Sequence, residues 1–377
     1  MRIVDLFSGV GGMTFGFYYS LKNGKFIINK DCEIVFANEK NKNAAKAFKL
    51  NFPNVMMLNK DIKSLREESI SSLVGTNEVD IIIGGPPCQS FTTIGTRRYD
   101  DKARLYREYK KMLEIIQPKM FIFENVKGIL SMKDKGNKSV LDRIVKKFEE
   151  INDNLGYKVS YETLDAVNFG IPQYRERVFI IGIRKDLNLR WTFPKGNDSK
   201  LSIKDAICDL PPVKQGKEKT EYEKNPLNNY QKLMRYENDN LTFHCAALHG
   251  EKINTVIKNV PQGKGRLYFN ELIDNGLIDE EYRLTSGYKN TYGRLIAKNP
   301  CTTITHNMST PSSLRCIHYS QDRSLTPREG ARIQSFPDWF KFYGSLSDVK
   351  SQVGNAVPPL LAMALYEQAE KTLYGSK

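Results

Sequence analysis

Short apolar runs alternating with amphipathic stretches fill the first half of the chain, and this alternation restricts the fold more than any other feature. Residues 2–6, 33–37, 55–58, 79–83, 119–124 and 177–183 read as strands, rich in Ile, Val and Phe. Between them, residues 12–21, 41–50, 105–116 and 140–151 carry the apolar spacing of helices that cover one face. Strands apolar along their whole length are covered on both sides, and parallel neighbours need a crossover helix. The expected fold is α/β: a doubly wound, mostly parallel sheet that binds ligands at the carboxyl ends of its strands.

The alternation dissolves after about residue 186. From there to about 320 the chain is polar, with Pro and Gly punctuation, yet aromatic and β-branched residues persist. A second, smaller, irregular domain is expected rather than disorder. Regular structure resumes at Ser324-Leu325-Thr326-Pro327-Arg328-Glu329, where Thr before Pro and Glu three residues on form a helix start. A closing helix follows Val357-Pro358-Pro359.

Composition sets the bounds. At 377 residues, 40% hydrophobic and 27% charged, the chain is an ordinary globular sequence. Lys and Arg number 57 against 43 Asp and Glu, a formal net charge of +14. That suits a polyanionic partner such as nucleic acid, and equally plain solubility. No basic-then-apolar leader precedes the first strand, and no apolar run approaches the roughly 18 residues of a spanning helix, so no membrane is expected and the cytoplasm is the expected place. The six cysteines are scattered without a CxxC pair, which argues against a disulfide framework or a zinc ribbon. His244 and His249, near Cys245, lack a second ligand pair, and no metal site is expected.

The chemistry-bearing residues fall at predicted strand ends. Gly85-Pro86-Pro87-Cys88-Gln89-Ser90 follows the run 79–83, and its prolines make a stiff turn that aims the Cys88 thiol. A lone cysteine is ordinarily a small buried hydrophobe, and Cys88 is weighed as a nucleophile because of what surrounds it. Asp5-Leu6-Phe7-Ser8-Gly9-Val10-Gly11-Gly12 ends the first strand in a glycine turn that lets a nucleoside approach the backbone. Its spacing departs from the phosphate-cradling G-x-G-x-x-G. Glu39, after the second strand, can accept from ribose hydroxyls, and Asp61, after the third, from an adenine amino group, so an adenosyl ligand fits. Glu124 follows the next strand as a candidate acid, and Arg175 and Arg177 lie where they can orient it, lower a thiol pKa or hold a carbonyl oxygen.

These blocks resemble the DNA cytosine-5 methyltransferases of prokaryotic modification type. The family's order appears as DLFSGVGG at 5–12, Glu39, Asp61-Ile62, GGPPCQSF at 84–91, ENV at 124–126, QYRER at 173–177, RSLTPREGARIQSFP at 323–337 and QVGNAVPP at 352–359. The resemblance implies a Rossmann-like S-adenosylmethionine-dependent methyltransferase domain over 1–188, completed by 345–377, and a target-recognition domain over 189–344. It implies S-adenosyl-L-methionine as cofactor, leaving as S-adenosyl-L-homocysteine, held by Phe7, Gly9, Gly11, Gly12, Glu39, Asp61, Ile62, Pro87, Leu105, Asn355 and Val357. Cys88 should add to C6 of a cytosine flipped out of double-stranded DNA, with Glu124 at N3 and Arg177, with Arg175, at O2. Water is a candidate base for the C5 proton. The segment after Cys88 should close on DNA through Ser90, Arg97, Arg98 and Arg104. The second domain should read the major groove from 287–294, including Tyr292 and Arg294, and from 302–315. The expected activity is DNA (cytosine-5-)-methyltransferase, EC 2.1.1.37, in a monomer that protects DNA beside a separate restriction endonuclease. A tRNA cytosine-5 methyltransferase is the nearest alternative, and it usually carries a Cys-Phe-Thr tripeptide that is missing here. A silent DNA-binding relative is the other, and it would not need the nucleophile.

Overall fold

The computed structural model describes residues 1–86, 105–134, 136–151, 156–236, 238–285, 287–288 and 291–375. In chain order its strands are β1 (Arg2–Leu6), β2 (Tyr19–Lys22), β3 (Lys25–Ile28), β4 (Glu33–Asn38), β5 (Met57–Leu58), β6 (Ile81–Gly84), β7 (Met120–Val126), β8 (Tyr157–Asp165) and β9 (Glu176–Arg184). The main sheet runs β5-β4-β1-β6-β7-β9-β8. It is parallel from β5 to β7, and β9 is antiparallel to both its neighbours. This is the doubly wound, mostly parallel sheet that the alternation requires.

The helices are α1 (Gly12–Tyr18), α2 (Lys42–Asn51), α3 (Glu67–Val74), α4 (Tyr106–Ile116), α5 (Val140–Glu149), α6 (Ile203–Ile207), α7 (Asn229–Arg235), α8 (Glu251–Asn259), α9 (Arg266–Asp274), α10 (Pro327–Ile333), α11 (Leu346–Asn355) and α12 (Pro359–Tyr374). Successive strand residues point to opposite faces, and each face has its own core. Ile3, Ile81, Ile83, Ile122 and Ile181 pack with α1, α2 and α12. Val4, Leu6, Ile82, Phe123 and Ile180 pack with α3, α4 and α5.

Several elements of the first half escape the sequence pattern, among them α3, the β2–β3 hairpin and β8. The helix expected over 12–21 stops at Tyr18 and the chain turns into the β2–β3 hairpin, where Asn23 and Gly24 take φ of 51° and 71°. That is the Asn-Gly signature of a tight hairpin. β8 is an edge strand, exposed on much of its length, and so lacks a continuous apolar run.

Past residue 189 the core does not divide as the expected boundary suggests. Ile203, Met234, Leu241, Ile304, Leu325 and Phe336 belong to the same buried cluster as Ile3 and Phe15. Among the described residues a separate small core forms around α8 and α9, from Val256, Val260, Phe269, Ile273, Leu284 and Tyr292. The closing helix does return to the first domain: a Cβ on Gly16 would stand 2.4 Å from the Ala362 carbonyl carbon, so α1 and α12 touch backbone to backbone. α10 begins as the sequence indicates, with Pro327 at its first position and a reciprocal Thr326–Glu329 capping box. Glu329 also takes two hydrogen bonds from Arg323, at 2.8 and 2.7 Å.

Candidate active site

The strand order brings one functional group after another to a single edge. From β5 inward these are Asp61, Glu39, the turn Phe7–Gly12 and Gly85, followed by Glu124 near the end of β7. Because β9 runs backwards, its start lies at this same edge: Arg177 pairs with Val126, two residues beyond Glu124. The antiparallel strand is what delivers the guanidinium to the carboxylate.

On the glycine side, Phe7, Gly9 and Gly11 all take positive φ, at 57°, 56° and 91°. Gly11 and Gly12 have no room for a side chain, with a Cβ falling 2.4 Å from the Phe52 ring and 2.4 Å from the Val357 carbonyl oxygen respectively. Gly9 differs, since nothing lies within 4 Å of where its Cβ would be. It offers bare backbone where a nucleoside can approach. Glu39 is fixed beside it, accepting from Gly9 N–H at 2.9 Å and Asn41 N–H at 2.6 Å. Burial pushes the Glu39 carboxyl up against the opposing pull of those N–H groups. Asp61 caps the turn beginning at Ile62 and pairs with Lys40 at 2.7 Å, which holds its carboxyl low. Ile62 is buried below the loop, Leu105 caps α4, Asn355 ends α11 exposed, and Val357 closes over Gly12. Sequence reasoning missed Asp5, which is fully buried, accepts from the Thr14 hydroxyl and is pushed up to about 7, chiefly by burial and further by Glu39.

On the other side, Glu124 Oε1 meets Arg177 Nε at 3.0 Å, both side chains being 14% exposed. Burial raises the Glu124 pKa while Arg177 and Arg175 lower it, with the net direction upward. Burial thus favours the protonated carboxyl, the form that can donate to an acceptor. A Cβ on Gly85 would stand 2.6 Å from Glu124 Oε2, so the chain leaving β6 passes directly over the acid. Pro87, Cys88, Ser90, Arg97, Arg98 and Arg104 lie outside the described residues.

Three expectations change in kind. Arg175 is buried and donates to the carbonyls of Ile304 at 2.8 Å, Gly354 at 3.0 Å and Ala356 at 2.9 Å. It acts on Glu124 through its field and ties the edge to three carbonyls, while its buried Nε has no partner among the described residues. Arg294, expected on DNA, donates instead to the carbonyls of Val260, Ile257, His318 and Gln321 and to Asp322. Tyr292 turns its ring into the α8–α9 core. Gln173, unassigned in the sequence, ties this edge together by donating to Gln334 Oε1 at 2.8 Å and accepting from Ile304 N–H at 2.7 Å. His244 is buried between Thr326 and the Pro211 carbonyl, and no metal-holding cluster occurs among the described residues.

A parallel sheet with one reversed strand, a glycine turn followed by an acidic residue, and a buried acid–guanidinium pair on one edge define a Rossmann-like methyltransferase fold. The family model for C-5 cytosine-specific DNA methylase matches residues 1–371, and the chain belongs to that family. The Type II methyltransferase M.DdeI of Desulfomicrobium norvegicum is 33% identical over 98% of this chain and 88% of the relative. M.NgoPII of Neisseria gonorrhoeae is 32% identical over 99% and 95%. A crystal structure of a putative DNA modification methyltransferase encoded within an E. coli prophage superposes with a TM-score of 0.75, at 23% identity over 99% of both chains. The protein is thus a DNA (cytosine-5-)-methyltransferase, EC 2.1.1.37. Among the described residues no helix is long and apolar enough to cross a membrane.

Proposed function

We propose that this enzyme methylates C5 of a cytosine flipped out of duplex DNA, using S-adenosylmethionine, as the modification half of a Type II restriction system whose endonuclease acts separately. The Glu124–Arg177 pair at 3.0 Å, with Gly85 just after β6 packed against the acid, carries this reading. Cytosine C5 is a poor nucleophile until a thiolate adds at C6. The Cys88 sulfur forms that bond as Glu124 delivers a proton to N3, and the electron pair of the C5–C6 double bond becomes available at C5. Arg177, whose Nε holds Glu124 and whose Nη1 donates to the Glu176 carbonyl, keeps the carboxyl aimed and offers Nη2 to O2. Once C5 carries the methyl group, its proton leaves to water, the sulfur departs from C6 as the double bond re-forms, and the N3 proton returns to Glu124, restoring both groups.

The cofactor, when bound, supplies an electrophilic methyl on a sulfonium. The open backbone at Gly9, flanked by Glu39, fits its adenosyl portion, with Asp61 at the next strand end and Val357 closing over Gly12; Leu105 would bound the adenine side. The 14-charge excess of basic groups suits a polyanionic substrate. Incubation of the protein, taken as a monomer, with methyl-tritiated S-adenosylmethionine and either duplex DNA or tRNA tests the reading. Tritium recovered as 5-methylcytosine from DNA, and lost in Cys88→Ser, is the expected result. Label in tRNA alone, or in neither, contradicts it.

A further inference from the structure

Buried and part-buried arginines in this protein stand beside carboxylates, from Arg177 with Glu124 to Arg294 with Asp322 and Arg332 with Asp209 and Asp338. Among the described residues, Arg266 and Arg315, like Arg175, have no carboxylate at ion-pair distance, and both flank the same turn at Thr291–Gly293. Arg266 donates its backbone N–H to the Thr291 carbonyl at 3.1 Å, while its buried Nε has no hydrogen-bond partner. Arg315 lies on Gly293: a Cβ there would stand 2.7 Å from Arg315 Cγ and 2.9 Å from Cζ. Its Nη1 is tied to the carbonyls of Lys264 at 3.1 Å and Arg294 at 3.2 Å. Nε and Nη2 have no partner among the described residues. Burial lowers the Arg315 pKa with no carboxylate to offset it.

The backbone that carries Arg315 is joined to the side of the molecule that holds the acid. Thr302 Oγ1 donates to the Arg315 carbonyl at 3.3 Å, Thr303 Oγ1 to the Tyr174 carbonyl at 2.8 Å, and the Ile304 carbonyl accepts from Arg175 at 2.8 Å. Three consecutive residues therefore lead from Arg315 to the Arg175–Glu124 cluster.

We propose that Arg315 reads a guanine of the recognition sequence, its Nε–Nη2 edge donating to O6 and N7 in the major groove, with Arg266 supporting it from the other side of the turn. A phosphate is served by a mobile cation. A guanidinium lying on a glycine and tied down by two carbonyls presents one edge in one direction, and guanine is the base with two adjacent acceptors on its groove edge. The inference rests on the DNA-methylating activity proposed above.

The test uses the full-length enzyme on a duplex library with randomised positions, followed by sequencing of methylated cytosines. Wild type should yield a motif with an invariant guanine, and Arg315→Ala should accept other bases at that position. Cognate kcat/KM should fall about 5- to 150-fold, the equivalent of about 1–3 kcal/mol for one bidentate base contact. Placing 7-deazaguanine at that position should slow wild type by a similar factor and leave Arg315→Ala unaffected. An unchanged motif with uniformly lower activity makes Arg315 a phosphate contact and overturns the proposal. If the variant does not fold, wild type decides: no loss with 7-deazaguanine at any guanine of the motif also overturns it. Failure of wild type to methylate any DNA would overturn the proposed function along with it, whereas methylation with an unaltered motif overturns this inference only.

Discussion

Arg177 stands at the sheet edge with Nε on Glu124 and Nη1 on the neighbouring Glu176 carbonyl, whereas Arg294, in the irregular second half, donates to four backbone carbonyls and to Asp322. The sheet needs no such help, because its ladder satisfies N–H and C=O groups and Ile, Val and Phe fill both faces. Residues 189–344 contribute no strand to the main sheet among the described residues, so their buried carbonyls need other donors. Guanidiniums supply them: Arg328 donates to the Thr242 carbonyl at 3.0 Å and Arg332 to that of Ala206 at 3.0 Å. One planar side chain with five donors can tie several loops together. An arginine at a strand end is therefore available for chemistry, and an arginine within the irregular half is usually a strut. Arg315 draws notice because its carbonyl bonds use Nη1 alone and no carboxylate stands beside it among the described residues.

The comparison can be broken from either side. Glu124→Gln should lower methyl transfer by about 10²- to 10⁴-fold, the range of a lost general acid, while thermal unfolding stays near wild type. If the variant instead unfolds at full specific activity, the sheet-edge pair is a strut as well. Arg332→Ala should do the reverse: leaving Asp209 and Asp338 buried without their cation should remove about 3–5 kcal/mol in denaturant unfolding. Its folded fraction should keep normal turnover. Gly16→Ala forces a Cβ into the α12 backbone and should cost about 1–3 kcal/mol, the usual penalty of overpacking, measured by the same titration.

The smallest effect sharpens the first half. Asp5 titrates at about 7 in the folded chain against an ordinary 3.8, so the native state binds the extra proton between those values. The stability this proton confers is fully present below about pH 4 and lost as pH rises through 7. Asp5→Asn, which keeps an acceptor for Thr14, should flatten the fall in unfolding free energy between pH 4 and 7. An unchanged slope would show that Asp5 is ionised throughout.

The strand ends were legible because a parallel sheet allows few places for Glu39, Gly85 and Glu124 once their strands are recognised. The Thr326 cap was equally plain, being a local signal that tertiary context did not override. Arg294 and Tyr292 were misread for a physical reason: a basic and an aromatic residue beside Gly293 look the same on DNA or turned inward. Which carbonyls lack a partner is decided by tertiary packing. The single core shared by β1, α10 and the residues around Met234 was hidden likewise, since contacts across the whole chain leave no local period.

The most direct test of the account is a trapping experiment with duplex DNA containing 5-fluorocytosine and tritiated S-adenosylmethionine, resolved under denaturing conditions. Fluorine at C5 blocks the final loss of a proton, so a labelled protein–DNA adduct should accumulate with wild type, vanish with Cys88→Ser and form far more slowly with Glu124→Gln. No adduct with wild type, or one that persists in Cys88→Ser, would contradict the assignment of this sheet edge as a cytosine-methylating site.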